Sequence, residues 1–487
     1  MNNPKITLVE LPPTSFGKLN TPLVKDIYTR FRLPARANPL LHAILYNEGY
    51  EDVKSIDPRA DKRNEIDGKD LERIISSDYL LLSSITRTIN QTEQLAKLYR
   101  LANRTGKIIV GGFHASLSPL EVLEWADVVV RHEGDKTIVE LLRNLNNGLS
   151  LENVKGISYR IGNEFINNPC REFLTEKELS NLPNPDYSIY PRRTMGVLNT
   201  SRGCPYGCNF CSVTEFYGRN YRRKSNSKIL EELAAMEKTK KIFSNRSIFI
   251  TDDNFAMKKE ETKELLKEMA KLNNGRKYTC QLSVNSAFVN GEDNIDEEFL
   301  YLLKKANFIA VCLGVESINE DTLKSYKKPA TAERNKIAVT EFRKAGLWNH
   351  VMMVIGGDGD TNESLDETVE WARKYVDSVQ FFAPIPFPGT SLTKEMEKQG
   401  RMLSKDYYLY DGFHVVIEPK NFSPYELQMK ILEMDKKFYT LKNNPYIKDS
   451  ARPWYKRGVH TYAQKMMWDI EHEPQSIEHI KMLKKME

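Results

Sequence analysis

With 487 residues, 40% of them hydrophobic and 28% charged, the chain can bury a large core and has room for roughly two to four domains. A balance of 71 Lys and Arg against 66 Asp and Glu leaves a net charge of +5, too mild to argue for nucleic-acid binding, and six cysteines in this length do not form a disulfide framework. The longest apolar runs, residues 308–315 and 351–355, fall far short of the ~20 needed to span a bilayer, and MNNPKITLVELPP lacks a charged segment followed by an apolar one, so no transmembrane segment or signal peptide is expected and the protein reads as cytoplasmic.

In chain order, apolar stretches at 6–10, 53–57, 79–85, 107–111 and 127–131 predict strands, with helical patterns around 40–48, 70–76, 90–102, 120–125 and 137–145 between them. This alternation predicts right-handed βαβ units and a doubly wound parallel sheet over residues 1–148. Such a sheet binds ligands at the carboxyl ends of its strands. Ser83, Ser84 and Thr86 follow the third predicted strand, and Gly111, Gly112 and His114 follow the fourth. Residues 149–195 read as a connector: 156–159 and 164–167 flank Ile161-Gly162-Asn163 as a hairpin, and NLPNPDYSIYP (181–191) reads as a linker.

The alternation then resumes. Strands are predicted at 196–201, 247–252, 278–285, 308–316, 350–357 and 378–384, with helices between them such as 228–239 and 259–272. Six such units predict a partial TIM-type (β/α)6 barrel over 196–395, whose active site would lie at the carboxyl ends of the strands. Polar and glycine residues gather there: Cys204, then Asp252-Asp253-Asn254, Asn285, Glu316 and Gly356-Gly357-Asp358. Residues 396–487 read as helical, rich in Lys and aromatics (Tyr407, Tyr408, Tyr410, Trp454, Tyr455, Trp468); aromatics at helical spacing belong more often to a core than to a pocket.

Residues 201–211 read Ser-Arg-Gly-Cys-Pro-Tyr-Gly-Cys-Asn-Phe-Cys, three thiols spaced C-x3-C-x2-C directly after a strand. Thiolates are the usual iron–sulfur ligands. Three of them hold three irons of a cubane and leave the fourth iron open to chelate the amino and carboxylate groups of a methionine moiety. Gly203, Pro205 and Gly207 suit a tight loop around such a cluster. A structural zinc site needs four closed ligands, and no fourth Cys or His lies within ten residues. The other cysteines (Cys170, Cys280, Cys312) are dispersed, which disfavours further clusters.

The motif, with Phe210 before its last cysteine, resembles the signature of the radical S-adenosylmethionine (SAM) superfamily. Further segments resemble its subset with an N-terminal cobalamin-binding domain: GGFHASLSPLEVL, VVRHEGDKT, NLPNPDYSIYP, YRRKS, ITDDNF, LGVES, MMVIGGDGDT and PIPFPGTSL, together covering about residues 1–395. The resemblance implies a [4Fe–4S] cluster on Cys204, Cys208 and Cys211 that reductively cleaves SAM to a 5′-deoxyadenosyl radical. It implies that Glu316 meets the SAM ribose or ammonium, with a rim salt bridge as the plainer reading. Asp252 and Asp253 would lie beside the methionine group, although Asp there also suits a helix N-cap. Ser283 and Asn285 alternate with apolar neighbours and could face SAM, with Gln281, from the barrel lumen. Gly356 and Gly357 would let backbone approach the nucleoside. Arg222 and Arg223 fit a carboxylate partner or a solvated basic face equally.

For the N-terminal sheet, the resemblance implies that Ser83, Ser84, Thr86, Gly111 and Gly112 admit the nucleotide tail of cobalamin, with His114 as a pocket wall or a surface histidine. Many cobalamin domains carry Asp-x-His-x-x-Gly, whose His ligates cobalt. Here the segment after the second strand reads Ser-Ile-Asp-Pro-Arg-Ala-Asp-Lys, with no His. The implied function is a cobalamin-dependent radical SAM C-methyltransferase acting through methylcobalamin, supplied with electrons by flavodoxin or ferredoxin. The rivals are radical chemistry without methylation (cyclisation, C–C coupling or oxidation) and a non-catalytic cobalamin or iron–sulfur sensor. The substrate, whether peptide, lipid, tetrapyrrole or small metabolite, is not written in the residues.

Overall fold

The computed structural model describes residues 3–12, 33–34, 36–60, 66–242, 247–272, 275–439 and 454–487. They fall into two compact units. Lys25–Arg202 and Glu215–Arg246, with the N-terminal strand, make the first; Gly203–Thr214 and Ser247–Glu487 make the second.

In the first unit, short Ile-, Leu- and Val-rich runs form β1 (Ile6–Glu10), β2 (Val53–Ile56), β3 (Tyr79–Ser83), β4 (Lys107–Gly111) and β5 (Val128–Val130). They pair parallel in the order β2-β1-β3-β4-β5. Leu80, Leu81 and Leu82 are all buried, as are Ile108, Ile109 and Val110, so these strands show no alternation, the mark of a sheet covered on both faces. The order reverses at β1, so the carboxyl ends of β1 and β3 flank a switch point of the kind that binds ligands.

The predicted connector hairpin belongs to this sheet. β6 (Ile157–Ile161) pairs antiparallel with β5, and β7 (Glu164–Asn167) with β6. Ile157 and Tyr159 join the core around Val128, Val130 and Leu141, so the hairpin covers the edge that β5 would leave open. The strand predicted at 196–201 is split into β8 (Val197–Leu198) and β9 (Ser201–Arg202); β9 pairs antiparallel with β10 (Arg222–Arg223).

In the second unit β11 (Ile248–Ile250), β12 (Tyr278–Ser283), β13 (Phe308–Glu316), β14 (Trp348–Val354) and β15 (Ser378–Phe382) pair parallel in chain order. Helices Lys259–Leu272, Glu297–Lys305, Ala332–Lys344 and Asn362–Tyr375 connect them. This is the expected α/β arrangement, a parallel sheet wound as a partial barrel. One face is buried throughout (Val311, Leu313, Val315, Val351, Met353). The other carries the half-buried Gln281, Cys312, Gly314, Glu316, His350, Met352 and Gln380, the period-two pattern of strands with one open side.

The C-terminal part holds helices Ser391–Lys398, Pro424–Tyr439, Trp454–His472 and Pro474–Lys485. Tyr408 and Tyr410 pack into a core with Ile385 and Val416, whereas Trp468 is exposed and stacks on His472 at 4.3 Å between ring centroids. The side chains of Trp454 and Tyr455 lie outside the described residues. Among the described residues no helix is long and apolar enough to cross a membrane.

Asp435, on helix Pro424–Tyr439, is buried, and its Oδ2 has no hydrogen-bond partner among the described residues. Burial pushes its carboxyl well above the usual range, because the charged form is penalised there. A raised pKa contributes fully to stability below the unfolded value near 4 and progressively less as pH rises, by about 1.4 kcal/mol for each unit of elevation. Asp435→Asn should therefore raise Tm at pH 7 and leave it nearly unchanged near pH 3, as scanning calorimetry would show; an equal shift at both pH values would contradict this.

Candidate functional site

The cysteine loop is tied down through its backbone. The Gly203 N–H donates to Asp253 Oδ2 at 3.0 Å. The Asn209 N–H donates to Tyr326 O at 3.2 Å, Asn209 Nδ2 to Ser325 O at 2.9 Å, and Leu392 N–H to Asn209 O at 2.9 Å. Phe210 packs on Leu392, Met396 and Ile417 and meets the Tyr326 ring edge-on at 5.3 Å. The loop's own groups thus fix its shape, and Cys204, Cys208 and Cys211 remain free, half-buried thiols. Burial pushes all three up, Cys211 to about 11. Among the described residues no three Cys, His, Asp or Glu side chains converge on a single ion, whereas the corners of a cubane need no such convergence.

Beside the thiols lies a pair that sequence reading only half identified. Lys328 Nζ donates to Glu316 Oε1 at 2.8 Å, and both side chains are nearly buried. Burial alone would lower the Lys328 pKa, but the Glu316 carboxylate and the Cys208 and Cys211 thiols outweigh it and hold the ammonium charged. Glu316 stands in the left-handed region (φ 64°), and the β13–β14 register shifts between Gly314 and Glu316. A bulge with a residue in this conformation re-aims a side chain at the cost of local strain. Gly314 is required by the pair: a Cβ there would stand 2.6 Å from Glu316 Oε1 and 3.0 Å from Lys328 Nζ. Lys328 lies 12 residues beyond Glu316, outside any short motif, and LKSYKKP gave no signal that singled it out.

The remaining predicted SAM residues line the same strand ends. Asp252 is fully buried. Asn254 Oδ1 accepts from the Ser283 N–H at 3.3 Å, and Ser283 caps the short turn in which its Oγ accepts from the Asn285 N–H. Asn285 Nδ2 donates to Pro329 O at 2.5 Å, which ties β12 to the Lys328 segment. The glycine rim is filled by protein. A Cβ on Gly356 (φ 90°) would meet Leu427 at 2.3 Å, and one on Gly357 would meet Thr322 and the Tyr326 hydroxyl at 2.7 Å. Both amides already donate to Asp360 Oδ2, at 2.9 and 3.0 Å.

In the first unit, Ser83, Ser84, Gly111 and Gly112 meet at the carboxyl ends of β3 and β4. Ser84 N–H donates to Gly111 O at 3.1 Å, and Gly112 (φ 101°) is needed because a Cβ would stand 2.4 Å from Ser84 O. The Ser84 hydroxyl is buried without a partner among the described residues, a polar group that a ligand's hydrogen-bonding atoms would satisfy. His114 is not at the surface: it is fully buried, with Nδ1 3.3 Å from Thr86 Oγ1 and Nε2 3.6 Å from Glu121. Nor are Arg222 and Arg223 a solvated face. Arg222 bonds Glu133 and lies over the Phe173 ring, and Arg223 is buried.

The radical SAM superfamily matches residues 198–372, and the B12 binding domain matches residues 29–142. A B12-binding domain precedes a radical SAM domain in this chain. Its cofactors are accordingly a [4Fe–4S] cluster, SAM and cobalamin. The chain is 26% identical over 412 residues to an uncharacterized methyltransferase of Pyrococcus horikoshii, covering 82% of this chain and 86% of that protein. It is 26% identical over 414 residues to an anaerobic magnesium-protoporphyrin IX monomethyl ester cyclase of Cereibacter sphaeroides, covering 82% and 66%. It is 27% identical over 381 residues to a bacteriochlorophyllide d C-8(2)-methyltransferase of Chlorobaculum tepidum, covering 75% and 79%. Among solved structures, the fold resembles the radical SAM methyltransferase TsrM of Kitasatospora setae (18% identity, TM-score 0.64, 82% of this chain and 78% of that one). It also resembles the cobalamin-dependent enzyme OxsB (18% identity, TM-score 0.69, 96% and 71%).

The residues of the radical SAM domain fit its cofactors: three thiols unspent by the fold, beside a charged ammonium and a carboxylate. Lys328→Met should cost about 3–5 kcal/mol, because it strands the buried Glu316 carboxylate, and should weaken SAM binding. Glu316→Gln combined with Lys328→Met should recover most of the stability and none of the SAM affinity. Calorimetry and equilibrium dialysis with SAM separate the two effects; recovery of both would make the pair structural.

Proposed function

We propose that this chain is a cobalamin-dependent radical SAM C-methyltransferase. The observation that carries the reading is the set of three free thiols, presented by a backbone-anchored loop next to the buried Lys328–Glu316 pair. When bound, the cluster supplies the electron that cleaves SAM, and cobalamin relays a methyl group. Cys204, Cys208 and Cys211 would hold the cluster. Asp253 holds the loop by the Gly203 amide. Lys328 offers a fixed positive charge to the SAM carboxylate, and Glu316 offers an acceptor to the ammonium or ribose hydroxyls. Gly356 and Gly357, their amides taken by Asp360 and their open sides filled by Leu427, Thr322 and Tyr326, would shape the rim without lending a hydrogen bond to the nucleoside. The half-buried face with Gln281, His350 and Gln380 gives the domain a neutral, hydrogen-bonding lumen. Ser84, with the Gly111–Gly112 turn, would receive the nucleotide tail of cobalamin. A flavodoxin- or ferredoxin-type protein would deliver the electrons, in a reducing, cytoplasmic setting that an oxygen-sensitive cluster requires.

A relative of equal identity is a cyclase, so methylation and other radical chemistry must be told apart by product. Anaerobically reconstituted protein given SAM, a reductant and hydroxocobalamin should form both 5′-deoxyadenosine and S-adenosylhomocysteine. 5′-Deoxyadenosine alone would favour non-methylating chemistry, and neither product would leave a sensor. The desalted protein should retain corrin absorbance; a colourless product would remove cobalamin from the account.

A further inference from the structure

The loop after β5, His132-Glu133-Gly134-Asp135, lies in the first unit, and the chain segments that lead into and out of the cysteine loop are both anchored on it. On the incoming side Arg202 immediately precedes Gly203. Its Nη1 donates to Glu133 Oε1 at 2.8 Å and to Asp135 Oδ2 at 2.7 Å, and its Nη2 donates to Asp135 Oδ1 at 2.9 Å. That is a two-pronged fit of guanidinium to carboxylate, which fixes direction as well as distance. On the outgoing side Arg222 Nη1 donates to Glu133 Oε2 at 2.8 Å and to Leu174 O at 2.8 Å, with its guanidinium 4.8 Å over the Phe173 ring. His132 Nδ1 donates to Phe216 O at 2.7 Å, and their rings meet at 5.4 Å. The two sides are themselves paired, Arg202 with Arg222 and Ser201 with Arg223, as antiparallel β9 and β10.

Arg202, Glu133, Asp135 and Arg222 have side chains no more than 12% exposed. Burial pushes the Asp135 carboxyl up, but Arg202 outweighs it and holds the group below its usual range. Such a network is a weak source of net stability, because each buried ion loses several kcal/mol of hydration and apolar residues of similar size would serve as well. What it supplies is one defined geometry. His132 stands in the left-handed region (φ 60°), a conformation that persists in a non-glycine residue where the surroundings over-determine it.

We propose that Glu133 and Asp135 are positioning residues for the cluster. Through Arg202 and Arg222 they fix both ends of the chain that carries Cys204, Cys208 and Cys211, and so set how the thiols present the cluster to SAM. This rests on the reading of those thiols given above. It assigns a role to the VVRHEGDKT and YRRKS segments, to which the proposed function gives none.

The test is Arg202→Lys, which keeps the charge and loses the fork, with Glu133→Gln and Asp135→Asn beside it. Each variant is compared with wild type for Tm, corrin retention, iron and sulfide content, the electron paramagnetic resonance (EPR) spectrum of the reduced cluster with and without SAM, and the rate of 5′-deoxyadenosine formation. Arg202→Lys is expected to fold, retain corrin and assemble a cluster. The change that SAM induces in its EPR spectrum should be diminished, and kcat should fall on the order of 100-fold, the cost of misplacing a reacting group by about 1 Å. Wild-type spectra and rates in Arg202→Lys and Glu133→Gln would overturn the proposal. So would loss of fold, corrin and cluster together in all three variants, which would make the network purely structural. If Asp135→Asn alone fails to fold, the other two decide. A wild-type protein without a cluster would instead remove the reading on which the proposal rests.

Discussion

The chemistry assigned to this chain depends on a loop that must be rigid and yet leave its three thiols unused. The structure achieves this by anchoring the loop through main-chain groups and one aromatic side chain. Asp253 takes the Gly203 amide, Tyr326 and Leu392 take the two polar groups of the Asn209 backbone, and Phe210 is sunk among Leu392, Met396 and Ile417. None of these anchors consumes sulfur. The same surroundings place one ammonium, Lys328, where the charge of bound thiolates would otherwise be buried uncompensated.

Much of what surrounds the thiols exists to make that placement affordable in steric terms. Glu316 is turned towards Lys328 by a bulge and a left-handed backbone, and Gly314 is small so that the pair can form. Gly356 and Gly357 are small for a parallel reason, since Leu427 and Tyr326 press against them while Asp360 takes their amides. Leu427 belongs to a helix more than fifty residues beyond β14, so the C-terminal part is integral to the rim rather than an appendage.

How much of this could be read in advance followed the range of the interactions. β1, β4 and β13 were legible to the residue, because a continuous or alternating apolar run is a local signal. The cysteine spacing was legible for the same reason. The hairpin at 157–167 was legible as a hairpin but not as the edge of the first sheet, because what it pairs with is set by the exposed edge of β5 and not by its own residues. Of the alternatives left open for His114 and Arg222, the surface readings fall: His114 is buried beside Thr86, and Arg222 takes the carboxylate partner, Glu133. Lys328 and Tyr326 carried no signal at all. Their importance arises from packing against Glu316 and Phe210, contacts that no periodicity encodes.

The claim at the centre is that three thiols leave one iron free to grip SAM. Electron–nuclear double resonance on the reduced, anaerobically prepared protein, with SAM labelled with ¹⁷O in its carboxylate, addresses it directly. The account predicts hyperfine coupling between the label and the cluster. A cluster signal that SAM leaves unchanged, with no coupling to the label, would contradict it.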